Sequence, residues 1–105
     1  MVRVMLSSRG VPVRPQVHVP GVGRVDLLVG ESLIIECDSE EHHAGIIDKD
    51  RRRDMMARRL GYTVVRLSWQ QVWCTWEETR AFLADLIRTR RHLMRPRPLP
   101  TTFAA

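Results

Sequence analysis

Two runs rich in β-forming residues, Arg24-Val25-Asp26-Leu27-Leu28-Val29 and Leu33-Ile34-Ile35-Glu36-Cys37-Asp38, are separated only by Gly30-Glu31-Ser32. The segment reads as a β-hairpin with a three-residue loop. Such a loop pairs Val29 with Leu33, and counting back along both strands sets Asp26 directly across from Glu36. Directly opposed residues have Cβ atoms roughly 4.5–5.5 Å apart, and two like charges at that distance destabilise a sheet unless something compensates. Asp38 lies two residues beyond Glu36, so strand alternation points it to the same side. The hairpin therefore predicts three carboxylates gathered on one face. A two-residue loop would shift the register and break the facing pair.

The rest of the chain supplies a frame for that hairpin. Val2, Met5 and Leu6 have helical spacing, and Gly10 follows as a stop, which predicts a first helix of two turns. Pro12 and Pro15 force an extended path into Gln16-Val17-His18-Val19, which alternates like a half-buried strand. From Ala44 to Leu60 the chain lacks proline, carries apolar residues at Ile46, Ile47, Met55, Met56 and Leu60, and is crowded with arginine, predicting a helix with a basic exposed face. Thr63-Val64-Val65-Arg66-Leu67 is a further strand, so strand, helix and strand make a crossover unit of the kind that builds parallel pairing. Glu77 to Leu93 repeats apolar residues at Phe82, Leu83, Leu86, Ile87 and Leu93, an amphipathic closing helix. The expected fold is α/β: a small mixed sheet, hairpin plus crossover strand, flanked by helices in one domain over residues 1–94. Residues 95–105, with three of the six prolines, are expected to be an extended tail.

A chain of 105 residues with this balance fits one small globular domain and excludes a multidomain enzyme. No apolar run approaches the roughly 18 residues needed to cross a bilayer, so no membrane role is expected and a cytoplasmic location is. Cys37 and Cys74 lack metal-binding spacing and are expected as buried thiols. Charge is unevenly laid out. Residues 1–23 carry a net +3, residues 24–50 a net −6 and residues 51–105 a net +8. An acidic centre between basic flanks suits a metal-dependent nuclease, whose carboxylates gather a cation while arginines hold an anionic backbone. Among the 17 basic residues only Lys49 is a lysine; GC-rich codon usage accounts for such a bias, and arginine also suits bidentate phosphate contacts.

In that reading Asp26 and Glu36, with the backbone carbonyl of Cys37, hold a hard cation, Mg²⁺ or alternatively Mn²⁺, which lowers the pKa of a bound water and offsets charge on a phosphate. His42 and His43 follow the acidic turn and could act as base, or as acid to the leaving oxygen; capping the next helix is their other use. Asp38 and a histidine would orient the water. Arg51, Arg53 and Arg66 are expected to contact DNA phosphates. Asp50 and Asp54 support them through pairs such as Asp50 with Arg53 or Asp54 with Arg58. The competing use of the acids is an ion-pair network with Arg24, Arg53 or Arg66, and for Arg51 a salt-bridged surface. Trp69, Trp73 and Trp76 are expected as core or cover, with base stacking as the alternative.

The blocks Gly23-Arg24-Val25-Asp26-Leu27-Leu28-Val29, Ile35-Glu36-Cys37-Asp38, His42-His43, Asp50-Arg51-Arg52-Arg53-Asp54 and Gly61-Tyr62-Thr63-Val64-Val65-Arg66 resemble, in order and spacing, a bacterial family of endonuclease-like domains. That family is related to very-short-patch-repair (Vsr) endonucleases within the PD-(D/E)XK group. The resemblance implies a restriction-endonuclease-like fold, Mg²⁺-dependent phosphodiester hydrolysis on DNA, and metal ligands at Asp26 and Glu36. Asp38 stands where many relatives of the wider group have a lysine. Two departures accompany it. Ser39 replaces the glycine usual after the second acid. The first helix is shortened: a glutamate expected one turn upstream of Val2 has no counterpart, as if the start were truncated or the chain were the last piece of a larger regulator of toxin–antitoxin or abortive-infection type.

The sequence thus leads to a Mg²⁺-dependent DNA endonuclease or nickase. The alternative is a catalytically degenerate DNA-binding or protein-interaction module with the same fold. A third expectation is that apolar surface around Val2, Met5 and Leu6 is covered by a partner or by a second copy of the chain.

Overall fold

The computed structural model describes residues 2–37 and 51–96 in full and the backbone of residues 44–50. Its elements run α1 (Val2–Ser8), β1 (Val13–Val19), β2 (Gly23–Val29), β3 (Leu33–Cys37), α2 (Ala44–Arg59), β4 (Thr63–Leu67), α3 (Trp69–Trp73) and α4 (Trp76–Arg88). The strands form one sheet in the order β1-β2-β3-β4. β1, β2 and β3 are an antiparallel meander, and β4 joins β3 in parallel after the α2 crossover. This is the expected small mixed sheet flanked by helices.

Helices cover both faces. On one, α1 and α4 bury Val2, Leu6 and Leu83 against Leu27, Val29, Leu33, Ile35 and Leu67, with Val72, Trp76, Leu86 and Ile87 packed around them. On the other, α2 lays Ala57 against Val25, Leu28 and Ile34. β3 and β4 are covered on both sides, which is why their sequences read as nearly unbroken apolar runs. The polar exceptions, Glu36 and Arg66, sit side by side in the ladder.

Several expectations need correction. Val2, Met5 and Leu6 are buried in the chain's own core, with Leu6 at 0% exposure, so the apolar surface that was to need a partner is not theirs. Both cysteines are exposed: Cys37 is the last residue of β3, and Cys74 caps α3. α3 was not anticipated. Ser68 caps it by accepting from the Gln71 amide at 3.1 Å while the Gln71 side chain accepts from the Ser68 amide at 2.8 Å, a reciprocal cap that starts a helix locally. Trp69 and Trp73 on this helix are 49% and 61% exposed, so neither is core; Trp76 packs against it. α4 ends at Arg88, short of Leu93, because the Thr89 hydroxyl bonds back to the Asp85 and Leu86 carbonyls and Arg90 takes a left-handed φ of +60°. Phe82 and Leu93, expected on its apolar face, are 51% and 47% exposed.

Beyond α4 the chain turns back onto the β2–β3 loop. The His92 carbonyl accepts from the Glu31 and Ser32 amides at 2.7 and 3.2 Å, and the Ser32 hydroxyl donates to the Arg91 carbonyl at 2.8 Å. The proposed tail falls mostly beyond residue 96, outside the described residues.

Candidate functional site

The hairpin has the register that a three-residue loop dictates: Val29 pairs with Leu33, Leu28 with Ile34 and Leu27 with Ile35. The next rung is Asp26 and Glu36, and there the backbone ladder gives way to carboxylates. The Asp26 amide donates to Glu36 Oε2 at 3.3 Å, and the Cys37 amide donates to Asp26 Oδ2 at 2.9 Å. Each acid thus accepts from the strand that carries the other. This reciprocal bonding offsets part of the cost of setting two acids opposite each other.

A break in strand alternation accompanies the pair. Val13 in β1, with Leu27 and Val29 in β2, packs on the α1/α4 face, whereas Val17 and Val19, with Val25, belong to the α2 face. Residues of one parity therefore change sides within each strand, between Pro15/Leu27 and Val17/Val25 of the register. Gln16 lies in that interval with a φ of +51°, a left-handed conformation rare for a non-glycine strand residue. Its amide Nε2 approaches Asp26 Oδ1 at 3.5 Å. Gln16 is the participant that sequence reasoning missed. Alternation marks it as an ordinary strand position, and only backbone geometry shows otherwise.

Glu36 is 8% exposed and its carboxyl is raised from 4.5 to about 7. Burial is the main cause, followed by the hydrogen bond and negative charge of Asp26; the Asp26 amide and the Arg53 guanidinium pull the other way.

α2 brings Arg53 to the site, as its spacing suggested. Arg53 Nε donates to the Val22 carbonyl at 3.2 Å, Nη2 donates to the Arg24 carbonyl, and Nη2 lies 3.5 Å from Glu36 Oε1. Asp54 and Arg66 pair with each other and not as helical spacing suggests. Asp54 is buried beside Ala57 on the sheet-facing side of α2, so it turns to β4 and not along the helix to exposed Arg58. It takes a two-pronged contact from Arg66, Nε to Oδ2 at 2.7 Å and Nη2 to Oδ1 at 2.8 Å. Arg66, expected on phosphate, is thereby engaged within the chain, next to Glu36 in the sheet. Arg51 is exposed on α2. Asp38, His42, His43 and the side chain of Asp50 lie outside the described residues. Among the described residues no group of three or more histidine, cysteine, aspartate or glutamate side chains is placed to hold a metal ion; Asp26 and Glu36 form a pair.

A mixed four-stranded sheet with helices on both faces is compatible with the restriction-endonuclease-like fold. The chain belongs to the restriction endonuclease-like family REase_MTES_1575, whose model matches residues 1–87. That match takes in the hairpin, α2, β4 and nearly all of α4, and it points to nuclease activity in general. No curated protein matches the chain. Among the described residues no helix is long and apolar enough to cross a membrane.

Proposed function

We propose that the protein is a Mg²⁺-dependent DNA endonuclease or nickase, related to Vsr-type enzymes, with Asp26 and Glu36 as its cation ligands. The observation that carries this reading is the reciprocal bonding of the two acids at the end of the hairpin, in a chain of a restriction-endonuclease-like family. Two carboxylates supply hard oxygen donors, and their crowding, which lifts Glu36, is relieved when a divalent ion enters. The donor set thus fits Mg²⁺, and Mn²⁺ equally. When bound, such an ion activates water and offsets charge building on a phosphate.

The chain's own residues then have separate tasks. Asp26 is fixed by the Cys37 amide, and Glu36 by the Asp26 amide and Arg53, so both carboxylates are oriented before any ion arrives. Cys37 contributes its backbone carbonyl. Asp38 and one of His42 and His43 orient or deprotonate the attacking water and protonate the leaving oxygen. Arg51 is exposed on a helix whose last turn carries Arg58 and Arg59, a surface suited to the DNA backbone.

The test is supercoiled plasmid incubated with Mg²⁺ or Mn²⁺ and either the native chain or Glu36→Ala purified in parallel. Nicking by the native chain, lost in Glu36→Ala without loss of DNA affinity, supports the proposal. No nicking with either metal, alongside salt-sensitive DNA binding, would replace it with a binding module that has lost cleavage.

A further inference from the structure

We propose that Arg53 is a positioning residue for the Glu36 carboxylate and not a contact for DNA phosphate. This rests on the reading of Asp26 and Glu36 as cation ligands and assigns how that site is held. From α2, Arg53 reaches carbonyls 31 and 29 residues earlier in the chain, those of Val22 and Arg24, and the same guanidinium faces Glu36 Oε1 at 3.5 Å. One planar group therefore ties together three parts of the fold: the β1–β2 turn, the crossover helix and the end of β3.

The turn approaches it closely: a Cβ at Gly23 would lie in van der Waals contact with the guanidinium, 3.6 Å from Nε and 3.9 Å from Nη2. Nε and Nη2 could meet a phosphate only by releasing the Val22 and Arg24 carbonyls and uncovering Glu36. These two nitrogens serve the chain, and on this reading the phosphate contacts fall to exposed arginines such as Arg51.

Geometry matters here beyond charge. The fork of an arginine offers donors in fixed directions, so Nε and Nη2 can hold the two carbonyls while Nη2 faces the carboxylate. A lysine ammonium keeps the positive charge and cannot span the three acceptors. Arg53→Lys therefore holds the local electrostatics nearly constant while removing the tether, and Arg53→Met removes the charge.

The experiment measures two quantities. The first is the affinity of the protein for Mn²⁺ alone, without DNA, by calorimetry for the native chain, Arg53→Lys and Glu36→Gln, with thermal unfolding of each. The second is the salt dependence of binding to a short labelled duplex for the native chain, Arg53→Met and Arg51→Ala. A positioning role predicts that Arg53→Lys weakens Mn²⁺ binding by roughly 10- to 100-fold while remaining folded, as loss of a group that orients a metal ligand does. It also predicts that Arg53→Met leaves the slope of log K against log salt unchanged, whereas Arg51→Ala flattens it by about 0.9. Native Mn²⁺ affinity in Arg53→Lys, or a slope flattened by about 0.9 in Arg53→Met, would overturn the inference. If Arg53→Met does not fold, the Arg53→Lys titration decides alone. Mn²⁺ binding lost in Glu36→Gln and intact in Arg53→Lys overturns this inference and leaves the cation site standing; Mn²⁺ binding unaffected by Glu36→Gln overturns both.

Discussion

Replacing Glu36 by glutamine should make the metal-free protein more stable at pH 8 and leave its stability nearly unchanged at pH 4. In the folded chain, burial and Asp26 lift the Glu36 carboxyl from 4.5 to about 7. Between those values the folded state keeps a proton that the unfolded state has lost, so stability falls as pH rises through this window. The loss is complete above about pH 7. One unit of pKa corresponds to about 1.4 kcal/mol, so the whole displacement costs up to about 3 kcal/mol. A glutamine has the shape of the protonated acid: its carbonyl can accept from the Asp26 amide and its NH₂ can donate to the Asp26 carboxylate. It carries no charge at any pH and escapes the cost. For a domain of this size each kcal/mol moves the melting temperature by roughly 4–8 °C, so the variant should melt up to roughly 12–24 °C higher at pH 8. Urea denaturation of both proteins, metal-free, at intervals from pH 4 to pH 8 measures the effect directly. Stability curves that run parallel across that range would refute the reasoning, because they would mean that Glu36 is not held against its charge.

Four further substitutions probe the frame around the site. Asp54→Ala removes the two-pronged, part-buried partner of Arg66 and should cost about 1.5–3 kcal/mol in urea denaturation, whereas Asp85→Ala, which breaks an exposed pair on α4, should cost less than about 1 kcal/mol. Gly30→Ala should destabilise by roughly 1–3 kcal/mol, since φ there is +58° and a Cβ would stand 2.5 Å from the His92 carbonyl; hydrogen exchange at the Glu31 and Ser32 amides should rise with it. Gln16→Gly should stabilise the chain by about 1 kcal/mol, because glycine takes the left-handed φ of +51° without strain; a loss of stability in thermal unfolding would show that the side chain outweighs the backbone cost.

The hairpin and its acids were legible because side-chain period and loop length together fix register: once Gly30-Glu31-Ser32 is taken as the loop, Asp26 and Glu36 must meet. The crossover was legible for a similar reason, since Thr63–Leu67 and Leu33–Cys37 are both apolar enough to be covered on two faces. Arg53 reaching the carboxylates followed from its place on a helix packed over the sheet. Other features depend on tertiary partners that spacing does not reveal. Asp54 has Arg58 at helical spacing, yet burial beside Ala57 turns it to Arg66 in β4. The end of α4 is set by Thr89 and Arg90, whose side-chain and backbone geometry interrupts an apolar repeat that continues to Leu93. The Ser68–Gln71 cap was present in the sequence as a Ser-x-x-Gln pattern, and it could have located α3. Gln16 could not have been found this way, because nothing in its residue type announces a left-handed backbone.

The central claim is that Asp26 and Glu36 together form a cation site. It is tested most directly by calorimetric titration of Mn²⁺ into the metal-free protein at pH 7, in buffers of different ionisation enthalpy, for the native chain and Glu36→Gln. With Glu36 at about 7, the account predicts binding by the native chain with release of about half a proton per ion, and weak binding with no proton released in the variant. Equal affinity in the two proteins, or binding by the native chain without proton release, would contradict it.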